Sequence, residues 1–277
     1  MAEIEVELKT VKKILNDSDA FYQVPDYQRP YSWDKENISE LIDDLTFAYT
    51  NNKSEKYFCG SLVLVKDAER YDVIDGQQRL TTFTILSCVI RDSFSDKLDQ
   101  KSKDYIKRAI QDEYEENERK LTFITGEQMQ IDFEETILKS IKFKSNVNPE
   151  KEFKENIYLQ NAHYIKFFLD EKLKELNIEP NDFIQWVFEN VVLTVIITND
   201  LDNAIRIFNV LNDRGLPLSP MDILKSSLMQ KLSTEDRQAF KIKWENINPF
   251  PSSMLYYTHY EADRDARRNC IEHKRFR

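Results

Sequence analysis

The amino-acid sequence predicts a mostly helical α+β fold, in which a small mixed sheet forms the core and a large helical region elaborates it. Apolar residues recur at helical spacing along most of the chain, whereas only a few short runs have the composition of strands. The 4 glycines and 8 prolines are too few for the many turns of an all-β sandwich. With 41% hydrophobic and 12% aromatic residues among 277, the chain can bury a packed core.

The composition also narrows the class of protein. A net charge of -10 is unfavourable for a protein that coats itself with nucleic acid, so a DNA contact would need a local basic patch. The three cysteines, Cys59, Cys88 and Cys270, have no C-x-x-C spacing, which disfavours a disulfide framework and a zinc site. The sequence shows neither a signal peptide nor an apolar run of about 20 residues, so we expect a cytoplasmic protein without a membrane span.

Five segments have the pattern of strands. Residues 4–8 alternate between apolar and charged side chains, which is typical of an edge strand, and residues 21–24 are extended. Residues 58–66 are apolar and β-branched, and the polar turn after them predicts a hairpin with residues 71–74. Residues 191–198 have the composition of a buried strand, and we expect all five segments to share one sheet.

Helices are predicted where apolar residues are spaced three and four positions apart. Thr10 would cap a short first helix, and a longer one would begin after Asp34. The highly charged sequence from 92 to 145 predicts helices joined by loops. Further helices are expected from 153 to 176, from a cap at Asn181 to 188, from 201 to the Asn-Asp-Arg-Gly sequence, after Ser219, and around 240–247.

Three regions follow from these elements. Residues 1–92 form the core with the sheet, and residues 93–250 form the helical region. Within the latter, residues 190–225 return a strand and the Asn-Asp-Arg-Gly segment to the core. Residues 251–277 are basic and aperiodic, so we expect a tail, either the end of a truncated chain or a non-native segment.

A strand, a one-glycine turn and a helix meet in the sequence VIDGQQRLTT. Asp75 at the N-cap and Gln78 three residues later predict a capping box, in which the two side chains satisfy backbone N–H groups. This interpretation leaves Arg79 unexplained, because a cation in the first turns of a helix is unfavourable by about 0.3–1 kcal/mol. Either the arginine extends into solvent, or it meets an anion.

The anion hypothesis assigns a role to the whole turn. A helix N-terminus presents aligned N–H donors to an anion, and Arg79 could grip a phosphate with two hydrogen bonds. Gly76 lacks a Cβ and so lets a phosphate approach closely. Further donors would come from the amides of Gln77 and Gln78 and the hydroxyls of Thr81 and Thr82.

Two other stretches carry an unusual set of polar and aromatic side chains. PDYQRPYSWDKEN places aromatic residues beside an arginine between prolines, either to anchor the core or to clamp a base and a phosphate. The candidates there are Tyr27, Gln28 and Arg29. In FNVLNDRGLPL, Gly215 is the expected glycine after a helix, while Asn212 and Arg214 either complement the helix dipole or donate to the same site.

The motifs YQRPYSW, FCGSLVLV, VIDGQQRLTT, FNVLNDRGLPLS and DILK occur in this order. Together they resemble the N-terminal domain of GmrSD-type modification-dependent (type IV) restriction systems, over roughly residues 19–244. The resemblance implies a ParB/sulfiredoxin-like core and a DGQQR box that binds a nucleoside triphosphate with Mg²⁺. Asp75 and Arg79 are then the catalytic candidates, with Asp75 either holding Mg²⁺ or orienting water. The nucleotide-binding candidates are Gly76, Gln77, Gln78, Thr81, Thr82, Tyr27, Gln28, Arg29, Asn212, Arg214 and Gly215.

The function that the resemblance implies is an NTP-binding and NTP-hydrolysing sensor in phage defence, which controls cleavage of modified DNA. The three histidines form no His/Asn/His constellation, so an HNH-type nuclease domain or subunit would be a separate partner, besides DNA. One alternative is a non-catalytic DNA-binding module that reads modified bases. Another is a pure interaction subunit whose motifs only hold the fold. A homo-oligomer is a further candidate assembly.

Overall fold

A computed structural model describes residues 4–26, 28–67, 70–111, 119–124 and 127–212, together with the single residues 236, 240 and 243. The chain separates into two compact units, Met1–Gly215 and Leu216–Arg277, and the continuous described ranges all lie in the first. The helices predicted after Ser219 and around 240–247 lie outside the described residues, apart from those three helical positions, and so does the tail. The region boundaries at 92 and 250 stay predictions.

A mixed sheet forms the centre of the described ranges. Its strands are β1 (Ile4–Thr10), β2 (Tyr22–Val24), β3 (Tyr57–Asp67), β4 (Arg70–Asp75), β5 (Leu121–Phe123) and β6 (Val191–Thr198). Their spatial order is β1-β6-β3-β4-β2-β5; the pairs β1/β6 and β3/β4 are antiparallel and the other neighbours are parallel. All five predicted strands are confirmed, with β1 at an edge and β6 inserted between β1 and β3.

The sequence did not predict β5. This strand has three residues, which is too short to show a period, and it exists because it pairs with β2. Lys120, which is 2% exposed, anchors its start. The Lys120 ammonium donates to the carbonyl of Asp17 at 2.6 Å and lies 4.2 Å from the centre of the Phe21 ring. Those contacts join segments about 100 positions apart, so no local pattern reveals them.

The helices of the described ranges are α1 (Val11–Leu15), α2 (Lys35–Asn51), α3 (Gln77–Phe94), α4 (Gln100–Ile110), α5 (Glu127–Phe133), α6 (Pro149–Glu152), α7 (Ile157–Glu175), α8 (Pro180–Asn190) and α9 (Leu201–Asn212). A 3₁₀ turn, Ser95–Lys97, follows α3, and a π-helical turn, Glu134–Leu138, follows α5. The mostly helical α+β prediction is therefore confirmed. Within these ranges no helix has the length and apolar character that crossing a membrane requires.

The start of α8 differs from its prediction. Thr10 and Asp34 cap α1 and α2 as expected, each accepting a hydrogen bond from a backbone N–H three residues on. Asn181, however, is not the cap of α8: the cap is Glu179, because Pro180 occupies the first helical turn. The Asn181 side-chain oxygen instead accepts from the hydroxyl of Ser102 at 2.8 Å, so it ties α8 to α4.

The two faces of the sheet are covered by different elements. The main core contains buried residues from α1, α2, α3, α4, α7 and α8 together with Leu193 and Val195 of β6. The helix α9 packs against β3, β4 and β6. Its buried residues Ala204 and Phe208, like Ile196 of β6, lie outside that core. Since successive side chains of a strand point to opposite faces, α9 covers the face opposite the main core.

Candidate functional site

The turn between β4 and α3 is built around a glycine. Asp75 is the last residue of β4, and Gly76, with φ of 88°, caps α3 without a side-chain hydrogen bond. The capping box predicted for Asp75 and Gln78 is therefore wrong, because the strand continues through Asp75 and the glycine takes the cap position. A Cβ on Gly76 would lie 2.8 Å from the carbonyl oxygen of Ser61, so this close approach of two strands requires glycine.

Glutamine side chains join this turn to the YQRPYSW segment. Gln77 donates from Nε2 to the carbonyl of Arg29 at 2.6 Å. In return, Gln28 donates from Nε2 to the carbonyl of Ile74 at 3.0 Å. Gln77 is 6% exposed, so its amide serves the fold in this conformation. Two segments that are almost 50 residues apart are thus locked to each other by their own predicted site residues.

Gln78 makes the densest of these links. Its Oε1 accepts from the backbone N–H groups of Ser32 at 2.9 Å and Trp33 at 3.2 Å, and its Nε2 donates to the carbonyl of Pro30 at 3.2 Å. Residues 30–33 lie before α2, so their backbone groups have no hydrogen-bond partner within a helix. Burying such a group without a partner would destabilise the fold. Gln78 therefore shapes the segment that approaches the DGQQR turn.

The two threonines of the motif lie inside the protein. Thr81 and Thr82 are both 0% exposed. The Thr82 hydroxyl lies 2.9 Å from that of Tyr31, and Asn161 of α7 donates to the same tyrosine at 3.1 Å. Burial raises the pKa of Tyr31, so it stays neutral. For Thr81 and Thr82 to act as the predicted phosphate donors, their hydroxyls would have to be uncovered.

Arg79 folds back across β3. Its Nη1 donates to the carbonyl of Ser61 at 3.1 Å, and a Cβ on Gly60 would lie 2.9 Å from its Cζ. Gly60 has φ of 98° and lies where the register between β3 and β6 shifts. The missing side chain at Gly60 thus leaves the space that the guanidinium occupies. Gly60 is not among the residues predicted for the site, although a glycine inside an apolar strand is a signal of close approach.

The guanidinium of Arg79 has no carboxylate partner among the described residues. Its one hydrogen bond there is to a carbonyl, so most of its five N–H donors remain unused. Asp75 is close by in the chain, but its carboxylate accepts from the hydroxyl of Ser61 at 3.1 Å. Burial raises the pKa of the Cys59 thiol to about 11, and the charge of Arg79 partly offsets that rise. The positive potential of Arg79 therefore extends to the neighbouring strand.

Most of the chain matches a known protein family. Residues 11–229 match the family described as GmrSD restriction endonuclease, N-terminal domain. The chain belongs to this family. The match confirms the resemblance of the ordered motifs, and it indicates that the chain is a component of a type IV restriction system. No curated protein is similar enough in sequence to match the chain.

In this GmrSD N-terminal domain, α9 contains residues 208–212, the first part of the FNVLNDRGLPL stretch. It packs against β3 and β4, the two strands that carry Gly60 and Asp75. The side chain of Asn212, at the end of α9, lies outside the described residues, and so do Tyr27, Arg214 and Gly215. Their predicted roles in nucleotide binding stay predictions.

The carboxylate of Asp75 lies just before α3 in the GmrSD N-terminal domain. Asp75 is half-buried there, and no group of three or more His, Cys, Asp and Glu that could hold a metal lies in the described ranges. In nucleotide sites Mg²⁺ is held by one or two carboxylates together with phosphates and waters. Asp75 could therefore supply one ligand to a magnesium ion that is held in addition by phosphates and waters.

Proposed function

We propose that this GmrSD N-terminal domain binds a nucleoside triphosphate with Mg²⁺ at the DGQQR turn and hydrolyses it. In this proposal the domain is a sensor that controls cleavage of modified DNA by an HNH-type nuclease domain or partner subunit. One observation carries it: Arg79 stands at an end of α3 that no side chain caps, and no described carboxylate pairs with it.

This arrangement is unfavourable without a ligand. The N-terminus of a helix carries roughly half a positive charge, and a cation beside it costs about 0.3–1 kcal/mol. Arg79 is also half-buried, so water compensates its charge only in part. A phosphate group would accept from the unused guanidinium N–H groups and from the backbone N–H groups that open α3.

The residues of the turn would have different roles in hydrolysis. Arg79 would neutralise charge that develops on the phosphate oxygens as the terminal phosphate leaves. Asp75 would either hold Mg²⁺, which supplies further neutralisation of the phosphates, or orient the attacking water. Gln77 and Gln78 act on the protein side, since their amides hold the backbone of residues 29–33 beside the turn.

The packing of the aromatic residues weighs against a DNA-reading module. That alternative needs open aromatic faces on which a base could stack. Tyr31 is 4% exposed and stacks on Tyr158 with ring centroids 5.4 Å apart, while Trp33 packs against the main core. Tyr31 therefore offers no free face and Trp33 is partly buried, which favours nucleotide hydrolysis over a DNA-reading module. A pure interaction subunit would show no response to nucleotide.

The test is the turnover of each radiolabelled NTP with Mg²⁺ by the wild type, Arg79→Ala and Arg108→Ala. The control removes the same charge from α4. We expect the wild type to hydrolyse at least one NTP, Arg79→Ala to be slower by about a hundredfold, and Arg108→Ala to match the wild type. Nucleotide at about 100 times its Kd should also stabilise the wild type by about 2.7 kcal/mol. Equal turnover by Arg79→Ala, or no turnover and no stabilisation by any NTP, would refute the proposal.

A further inference from the structure

A concave site lies between α3, α4 and the π-helical turn. Its cavity has a volume of about 480 Å³, which falls in the range of small-molecule sites. Leu98, Ile106, Ile110 and Leu138 form its apolar part, and each is at most 7% exposed. None of its described lining residues belongs to the sheet or to the DGQQR turn. It is therefore a separate site from that of Arg79.

The described part of the cavity rim is basic, although the protein as a whole carries a charge of -10. The described lining holds one acidic residue, Asp104, and several basic ones. The basic residues are Arg91, Lys103, Lys107, Arg119 and Lys139. A local cluster of one sign in a concave site with apolar walls concentrates the electrostatic potential and so attracts anions.

Two of these cations are already satisfied. Arg91 donates to both carboxylate oxygens of Asp92 at 2.7 Å, and to the carbonyl of Leu138 at 2.7 Å. Lys139 pairs with Glu135 one turn earlier. Arg91 thereby holds the π-helical turn in place as one wall, and turns of this kind are frequent at functional sites.

Lys103 and Lys107 are different. They lie one turn apart on α4, both line the cavity and both are exposed; neither ammonium group makes a hydrogen bond or ion pair to a residue in the described ranges. Like charges at this spacing destabilise a helix. An anion between the two ammonium groups would remove that repulsion, and lysine binds phosphate as a point charge.

We propose that this cavity binds a phosphate monoester with a compact aliphatic body. Lys103 and Lys107 would bind the phosphate, and the apolar side chains of the cavity would contact the aliphatic body. The described lining contains no aromatic residue, so none of these residues offers a platform for stacking a nucleobase. A concave site with buried apolar residues on one side also suits a small molecule better than the extended backbone of a nucleic acid.

The probe is n-hexyl phosphate, titrated by calorimetry into the full chain, with inorganic phosphate and 1-hexanol as the two halves of the ligand. The variants are Lys103→Gln/Lys107→Gln and, as a control that removes two charges from exposed positions nearby, Lys97→Gln/Lys101→Gln. A third protein, Arg79→Ala, tests whether the probe enters the DGQQR site instead.

We expect saturable binding of one n-hexyl phosphate per chain, weakened at least tenfold by the first double substitution and unchanged in the control and in Arg79→Ala. Inorganic phosphate and hexanol should each bind at least tenfold more weakly, because each lacks half of the contacts. Absence of saturable binding up to about 10 mM, equal binding by Lys103→Gln/Lys107→Gln, or loss of binding in Arg79→Ala would each overturn the proposal. This experiment measures binding of n-hexyl phosphate and not NTP turnover. A negative result here would therefore leave the proposal of nucleotide hydrolysis unaffected, and the reverse also holds.

Discussion

Replacing Gly60 by alanine tests whether this glycine positions Arg79. Gly60 has φ of +98°, a backbone conformation that strains an L side chain by about 1–3 kcal/mol. A Cβ there would lie 2.9 Å from Cζ and 3.1 Å from Nε of Arg79. Because those atoms are at the end of a flexible side chain, we expect the arginine to move and the strand to stay. The guanidinium then loses its hydrogen bond to Ser61.

The expected loss is about 2 kcal/mol in the free energy of unfolding, most of it backbone strain. Urea denaturation measures it directly, and for a chain of this size Tm should fall by about 4–8 °C. Gly76→Ala is the matched comparison, since its Cβ would meet the backbone oxygen of Ser61 at 2.8 Å. That atom cannot turn away, so Gly76→Ala should be the more destabilising of the two.

The functional readout separates positioning from stability. At a temperature where Gly60→Ala is fully folded, its stabilisation by NTP should fall towards the level of Arg79→Ala, because the displaced guanidinium no longer holds its position beside Ser61. Two results would show that Gly60 does not set the position of Arg79. One is that Gly60→Ala unfolds at the same midpoint urea concentration as the wild type, and the other is that NTP stabilises both proteins equally.

Three further predictions concern packing and pH. Gln78→Leu removes three hydrogen bonds to the backbone of residues 30–33, and we expect the free energy of unfolding, measured by urea denaturation, to fall by about 2–4 kcal/mol. A decrease below about 1 kcal/mol would show that Gln78 does not hold this segment in place. Tyr31→Phe leaves the buried polar atoms of Thr82 and Asn161 with one partner fewer, so it should cost about 1–3 kcal/mol in the same assay, whereas a neutral effect would argue against this network. Burial, followed by the charges of two nearby lysines, lowers the pKa of His163, so the unfolded chain takes up a proton first as pH falls below about 6.5. The free energy of unfolding should therefore decrease from that pH down to the lower folded pKa, and His163→Asn should flatten this part of the pH profile.

Much of the fold could be predicted because each element carries a local signal. Alternation identified β1, an apolar β-branched run identified β6, and the spacing of apolar residues identified α7 and α9. β5 escaped because three residues carry no period. The predicted cap of α8 was wrong because asparagine is a common N-cap residue, whereas the side chain of Asn181 forms a hydrogen bond with Ser102 of α4.

The candidate site was predicted less completely. The sequence identified Arg79 as a cation out of place at a helix N-terminus, and the structure leaves it without a described carboxylate partner. It did not identify Gly60, whose importance depends on the arginine that crosses it. It also could not tell that Gln77 and Gln78 bond to backbone groups and not to solvent, since those groups belong to another part of the chain.

The sequence by itself determined the strands and helices with clear periods, the family, and the sign of the charge at the DGQQR turn. These properties depend on neighbours within one or two turns of the chain, or on side chains whose charge does not change with context. Only the tertiary structure decided which polar groups meet: Gln78 with the backbone of residues 30–33, Thr82 with Tyr31 and Asn161, and Arg79 with the bulge at Gly60. Such partners are chosen by the need to satisfy buried hydrogen-bonding groups, and that need arises only after distant segments have packed together.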